Sequence, residues 1–365
     1  MLKVAVIIGT RPDVIKLTPV INELKKRNNV TTKIISTSQH TDLLEPFLDI
    51  FKITPDYDLK IMKKNQTLID TSSRIIKKLG ILFFDLKPDI VLVQGDTNTA
   101  VSAGLAAYYN RIDIGHIEAG LRTFDKYNPF PEEMNRKLLG SLADIHFAPT
   151  KLCKKNLISE GVLPKYIHIT GNTVVDSLLE TLNKNVQEPH ILKHIKGKII
   201  LVTCHRRESF GKGLRNISKA LHIISRNYND INIVLPLHPN PNVQKVFQNL
   251  NGATNIHLVN PLDYLSFVKL MEKSYLILTD SGGIQEETPS LDIPVLVLRE
   301  TTERPEGIEA GCSMLVGTDT TNIVNKTTKL LNDQKKYNEM AKAKNPYGDG
   351  KAAKRIVDKI IIRYK

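Results

Sequence analysis

The sequence predicts an α/β protein made of two doubly wound domains with parallel sheets, and three observations predict it. Short β-branched runs alternate with longer amphipathic stretches along all 365 residues. The runs are almost continuously apolar, as parallel strands buried on both faces must be. A polar stretch at 183–197, containing Pro189 and ending in Gly197, separates the runs into two series, and the length suits two domains of ordinary size.

The first series places strands at 3–8, 33–37, 90–94, 113–117, 145–148 and 167–170. The second places them at 198–203, 231–236, 256–259, 275–279, 294–298 and 314–317. Helical patterns such as 14–27, 100–109, 213–227 and 263–273 lie between them and complete βαβ alternation. At the end, Ala353, Ile356, Val357, Ile360 and Ile361 form the stripe of an amphipathic helix. The expected domains are therefore 1–183, joined by the helix 351–365, and 184–350.

Composition excludes several classes. With 41% hydrophobic and 24% charged residues the chain is neither disordered nor fibrous. No apolar run reaches the ~20 residues of a membrane helix. The start, MLKVAVIIGTRPDV, reads as a buried strand and not a signal peptide. Three scattered cysteines (Cys153, Cys204, Cys312) suit a reducing, cytoplasmic setting, with neither disulfide framework nor metal knuckle. The net charge of +13 is spread over short pairs such as Lys63-Lys64 and Lys154-Lys155. With no Trp and 6% aromatics, base-stacking platforms are scarce, so no nucleic-acid partner is expected.

In doubly wound sheets, ligands bind outside the carboxyl ends of the strands. Polar clusters stand at those ends: Gly9-Thr10-Arg11-Pro12, Ser38-Gln39-His40, Gly95-Asp96-Thr97, His116-Ile117-Glu118, Gly171-Asn172, His205-Arg206-Arg207-Glu208, His238-Pro239 and Asp280-Ser281-Gly282-Gly283. The Ser281-Gly282-Gly283 turn opens a helical stretch, where close backbone approach and about half a positive charge suit a phosphate. Glu287, one turn further on, is placed to accept ribose hydroxyls. Alone the motif is also an ordinary glycine turn with Asp280 as cap, and it matches neither GxGxxG nor GxxxxGK[ST]. Adjacent arginines after His205 suit a diphosphate, or else a loop with an internal Arg–Glu pair. Strand alternation sends His116 and Glu118 to the same side. Glu132 and Arg136, four apart at a proline-led helix start, share a face. Three carboxylates (Asp96, Glu118, Glu132) with cations (Arg11, Lys16, Arg136, His205, Arg304) suggest proton transfer beside a pyrophosphate, that is, chemistry at a nucleotide-linked sugar.

The pieces GTRPDVIKLTPV, QGDTNTA, HIEAGLRT, PFPEEMNR, TGNTVVD, HRRESFG, LTDSGGIQEE and ETTERPEGIEAG run in order from residue 9 to about 311. In type and order they resemble the non-hydrolysing UDP-N-acetylglucosamine 2-epimerase family. The resemblance implies two Rossmann-like domains of the glycosyltransferase-B type, with the active site in the interdomain cleft and the last helix on the first domain. It implies reversible conversion of UDP-GlcNAc to UDP-ManNAc through elimination of UDP to 2-acetamidoglucal and readdition. No cofactor or metal is implied, no membrane is involved, and a homodimer is expected.

Carried over by position, the resemblance implies acid/base work at Asp96, Glu118 and Glu132, with Arg136 beside them and His205 at the diphosphate. UDP contacts fall on Arg11, Lys16, Ser281, Gly282, Gly283, Glu287 and Arg304, and Phe267 touches the base. Which carboxylate is acid and which base stays open. Two departures are Asp13, where glutamate is usual, and Ser38, where glycine is common. Family members also bind a second UDP-GlcNAc through QHR and RQTL segments. Here these read Gln39-His40-Thr41 and Asn65-Gln66-Thr67-Leu68, each without its arginine, so near-hyperbolic kinetics are expected. Rival readings are a hydrolysing epimerase releasing ManNAc and UDP, a glycosyltransferase of the same fold, and a polyanion-binding protein.

Overall fold

The computed structural model describes residues 1–38, 41–63, 66–184 and 188–365, with side chains except at 41–43. It divides into two units, Met1–Ser177 with Tyr347–Lys365, and Leu178–Pro346. Gln39, His40 and Asn65, which carry part of the expected second-ligand motif, lie outside the described residues, as do Lys64 and the Thr41 side chain.

Unit 1 contains β1 (Leu2–Ile8), α1 (Arg11–Lys25), β2 (Val30–Ser36), α2 (Thr41–Phe51), β3 (Tyr57–Asp58), α3 (Leu68–Leu86) and β4 (Ile90–Gln94). It continues through α4 (Asn98–Tyr109), β5 (Asp113–Ile117), α5 (Glu132–Leu142), β6 (Ile145–Ala148), α6 (Lys151–Ser159), β7 (Ile167–Ile169) and the start of α7 (Thr173–Leu182). Unit 2 contains β8 (Lys198–Thr203), α8 (Lys212–Asn227), β9 (Ile231–Pro236), α9 (Pro241–Phe247), β10 (Ile256–Val259), α10 (Tyr264–Glu272) and β11 (Leu276–Thr279). Then follow α11 (Gly282–Glu287), β12 (Val295–Val297), α12 (Pro305–Glu309), β13 (Ser313–Leu315), α13 (Thr320–Asn332) and α14 (Gln334–Ala341), before α15 (Ala352–Arg363) returns to unit 1.

All strand pairs are parallel, in the orders β3-β2-β1-β4-β5-β6-β7 and β10-β9-β8-β11-β12-β13. These are two Rossmann-like sheets, the components of the glycosyltransferase-B fold. Each sheet reverses its winding once, between β1 and β4 and between β8 and β11, and such switch points hold ligands. The apolar runs are buried as expected, with every residue of β4 below the surface. β3 escapes the sequence pattern because its two residues are exposed and carry no apolar alternation. The β2 strand begins three residues before the predicted start, since Val30, Thr31 and Thr32 already pair with β1.

Helix α1 runs through Pro19, although proline removes an N–H and should free the carbonyl of Ile15. The Ser177 hydroxyl of α7 donates to that carbonyl and repairs the gap. One residue earlier, Asp176 accepts the N–H groups of Ala352 and Ala353 at 3.2 and 2.8 Å. It thereby satisfies the first turn of α15, whose own preceding residue Lys351 supplies no side-chain cap. Arg363 and Tyr364 hold the far end through Asp113, at 2.9 and 2.7 Å. Among the described residues no helix is long and apolar enough to cross a membrane.

Candidate functional site

In unit 1 the expected residues gather where β1, β4 and β5 end. Gly9 is required there because a Cβ would lie 2.3 Å from Thr99 Oγ1 and 2.5 Å from Thr37 Oγ1. The chain then turns into α1, and Asp13 accepts the N–H groups of Gly9 and Thr10 at 3.1 and 2.9 Å. Burial raises this carboxyl to about 7, against the pull of those hydrogen bonds. Arg11 opens α1, exposed, with its guanidinium 5.5 Å from the Phe47 ring centre. Ser38 occupies a left-handed φ of 50°, where glycine is unstrained, and its hydroxyl donates to Asp58 at 2.6 Å. Further along, Gln66 accepts from Arg74 of α3.

Glu118 is the best-held carboxylate. Lys16, expected among the UDP contacts, places its ammonium 2.5 and 2.7 Å from the two oxygens. Asn172 donates to Oε1 at 2.9 Å and Gln94 donates to Oε2. Glu118 has a φ of 64°, so the strand alternation that pairs it with His116 stops at Ile117. The His116 ring bonds the Gly95 carbonyl at 2.7 Å and is neutral, since burial drives its pKa down to about 3.

Asp96 follows β4 and receives Arg136 through Nε and Nη2 at 2.8 and 2.7 Å. Arg136 also meets Glu133 at 3.2 Å. Glu133 is fully buried and accepts the N–H groups of Thr123 and Phe124, both at 3.0 Å, so it ties the loop after β5 to α5. Glu132, the residue that the resemblance implies, is half-buried at the first position of α5, and the structural tie belongs to its neighbour Glu133. Two adjacent carboxylates in one helix turn were the available signal.

In unit 2 the corresponding ends are those of β8 and β11. Asp280 lies fully buried and bridges them, accepting N–H from His205 and Arg206. It is not the cap of α11, a place taken by Ser281. Burial would raise the Asp280 carboxyl, but the His205 ring and the two N–H groups outweigh it and hold it below the usual range. The His205 ring stacks on His238 with centres 5.4 Å apart. Glu208 pairs with Arg299 at 2.6 Å, not with its neighbour Arg207, as the internal-pair alternative had it.

Gly282 allows the Arg304 guanidinium to lie against the backbone, where a Cβ would come within 2.5 Å of it. Arg304 is buried and paired with Glu286 at 2.9 Å and with Glu303. Its charge is thus matched, and it supports the turn from beneath. A Cβ added at Gly283 would lie 3.9 Å from the Glu287 carboxylate, an ordinary contact distance. Tyr264 donates to Glu287 at 3.1 Å, and Phe267 lies half-buried one turn further along α10.

The arrangement offers fixed carboxylates in unit 1 and a glycine turn with a carboxylate-oriented histidine in unit 2. A family model described as UDP-N-acetylglucosamine 2-epimerase matches residues 22–361. The chain is 47% identical to UDP-N-acetylglucosamine 2-epimerase of Bacillus subtilis, over 100% of this chain and 96% of that one. It resembles the crystal structure of UDP-GlcNAc 2-epimerase from Neisseria meningitidis bound to UDP-GlcNAc, with TM-score 0.93, 48% identity and 99% and 100% coverage. The Methanocaldococcus jannaschii enzyme in complex with UDP-GlcNAc and UDP matches with TM-score 0.85, 35% identity and complete coverage of both chains.

Proposed function

The chain belongs to the UDP-N-acetylglucosamine 2-epimerase family, and from that premise we propose that it interconverts UDP-GlcNAc and UDP-ManNAc without hydrolysis. The observation that carries the proposal is the pair of carboxylates, Asp96 and Glu118, at the ends of adjacent strands, each held by a cation. Relatives solved with UDP-GlcNAc and UDP support the choice of substrate.

The C2 hydrogen of the sugar is weakly acidic, so loss of UDP from C1 must develop positive charge while a carboxylate takes the proton. The C2–H electron pair becomes the C1=C2 bond of 2-acetamidoglucal, and the C1–O pair leaves with UDP. Return of a proton to the opposite face of C2 and of UDP to C1 completes the inversion. The sum is redox-neutral and consumes no nicotinamide. In this proposal Asp96, Glu118 and Glu132 move protons. Arg136 pairs with Asp96, and Lys16 with Glu118. His205, Arg11 and the Ser281–Gly283 turn receive the departing diphosphate, Arg304 braces that turn, Glu287 takes the ribose and Phe267 the base. The same reading makes the enzyme a cytoplasmic homodimer, the second part of which light scattering tests.

Proton NMR of UDP-GlcNAc with the enzyme in deuterated water tests the reaction. UDP-ManNAc carrying deuterium at C2, formed without added NAD or metal, is the expected product. Free ManNAc with equal UDP would indicate the hydrolysing reaction, and transfer of GlcNAc to an acceptor a glycosyltransferase. No change in the sugar, with salt-dependent binding of polyanions, would indicate a binding protein.

A further inference from the structure

We propose that Asn172 and Gln94 are positioning residues that hold the Glu118 carboxylate in one orientation and favour its ionised form for proton transfer. The proposal deepens the epimerase reading and rests on it. Glu118 receives donors on both oxygens from three directions: Lys16 in α1, Gln94 at the end of β4, and Asn172 just before α7. A carboxylate accepts all of these, whereas a carboxylic acid with its O–H on Oε1 would direct it at the Lys16 ammonium and the Asn172 NH₂, which only donate.

The orientation of the Asn172 amide is fixed by its other end. Its Oδ1 accepts the N–H of Val174 at 3.2 Å and caps α7, so its NH₂ faces Glu118. The Asn172 backbone is tied as well, its N–H donating to the Tyr347 carbonyl at 2.6 Å. Asn172 and Gln94 are 1% and 3% exposed. Buried amides placed around one carboxylate, itself in left-handed backbone, keep a geometry that the chain would not adopt unaided. Lys16 and His116 face Glu118 as titratable groups, and His116 brings no charge because it is neutral.

Asn172→Asp is the discriminating variant. Aspartate still caps a helix and leaves the backbone bond to Tyr347 intact, while the donor to Glu118 is lost. We expect kcat to fall about 100-fold, the lower range for acid–base work, with KM changed less than about 3-fold on the same reasoning. The acid limb of kcat against pH should move to higher pH, because lost donors and a new neighbouring negative charge both favour the protonated acid. Gln94→Met should shift both readouts in the same direction. Wild-type enzyme that exchanges C2 hydrogen, beside an Asn172→Asp variant with unchanged kcat and acid limb, would overturn this inference and leave the epimerase reading standing. Silence of the wild type would overturn the reading, and the inference with it. If Asn172→Asp shows no thermal transition, Gln94→Met decides. Loss of folding in both would show that the amides serve stability alone.

Discussion

The Asp280 carboxylate accepts the backbone N–H groups of His205 and Arg206 at 2.7 and 2.8 Å, while its other oxygen lies 3.1 Å from His205 Nδ1. One buried side chain at the end of β11 therefore sets both the loop after β8 and the direction of the imidazole. With Nδ1 turned to the carboxylate, Nε2 is the nitrogen left to meet a diphosphate.

Asp280→Asn should weaken UDP binding and turnover in the direction of His205→Ala, by isothermal titration and by coupled assay. It should also cost about 1–3 kcal/mol of stability at pH 7, the usual effect of weakening buried charge-assisted bonds. The folded carboxyl titrates below its unfolded value, so its contribution is complete above about pH 4 and is lost as pH falls through the folded pKa. The wild-type advantage in urea melts should therefore shrink on going from pH 7 to pH 3. An advantage that stays constant would contradict the assignment.

Removing one carboxylate, by Asp96→Asn, Glu118→Gln or Glu132→Gln, should reduce turnover by ~10²–10⁴-fold. UDP affinity should remain close to wild type, since cations and the glycine turn hold the diphosphate. Arg11→Ala and His205→Ala should lose both. Equal loss of UDP affinity in all five variants would abolish the division between proton-transfer and phosphate residues.

Asp13 gives a pH dependence of the opposite sign. Its folded carboxyl, raised to about 7 by burial, keeps a proton that the unfolded carboxyl releases near pH 4. Stability from this group is full below about pH 4 and falls as pH rises towards about 7. Asp13→Asn removes the titration and keeps an acceptor for Gly9 and Thr10. Calorimetry should show the Tm of the variant gaining a few degrees on wild type between pH 5 and pH 8, at about 2–4 °C per kcal/mol. Parallel Tm curves would rule out this titration.

Velocity against UDP-GlcNAc should be near-hyperbolic, and UDP-ManNAc alone should be turned over without a trace of UDP-GlcNAc. Each follows from the lost arginines of Gln39-His40-Thr41 and Asn65-Gln66-Thr67-Leu68. A sigmoidal curve would show a working second site, and Arg74→Ala would then ask whether the arginine bonded to Gln66 supplies it.

The strands and the clusters at their ends were legible because both signals are local. IVLV is apolar throughout and is followed at once by Gln94-Gly95-Asp96, and β4 occupies the buried run Ile90–Gln94. What holds Glu118 was not legible. Gln94 and Asn172 stand 24 and 54 residues away, and only the sheet order and the start of α7 bring their amides to it. Glu133 and Asp280 were hidden differently. Each sits beside a residue with a more familiar role, and burial, which separates them from those neighbours, is a property of the folded chain.

The closing of α15 onto Asp176 sets an order of events during synthesis. Every residue of Leu178–Pro346 leaves the ribosome before Ala352 and Ala353 can reach the Asp176 carboxylate. The inserted unit thus has its full complement of strands while the first unit still lacks its last helix, and α1 waits longest for its partner. The first unit to be translated is the last to be finished.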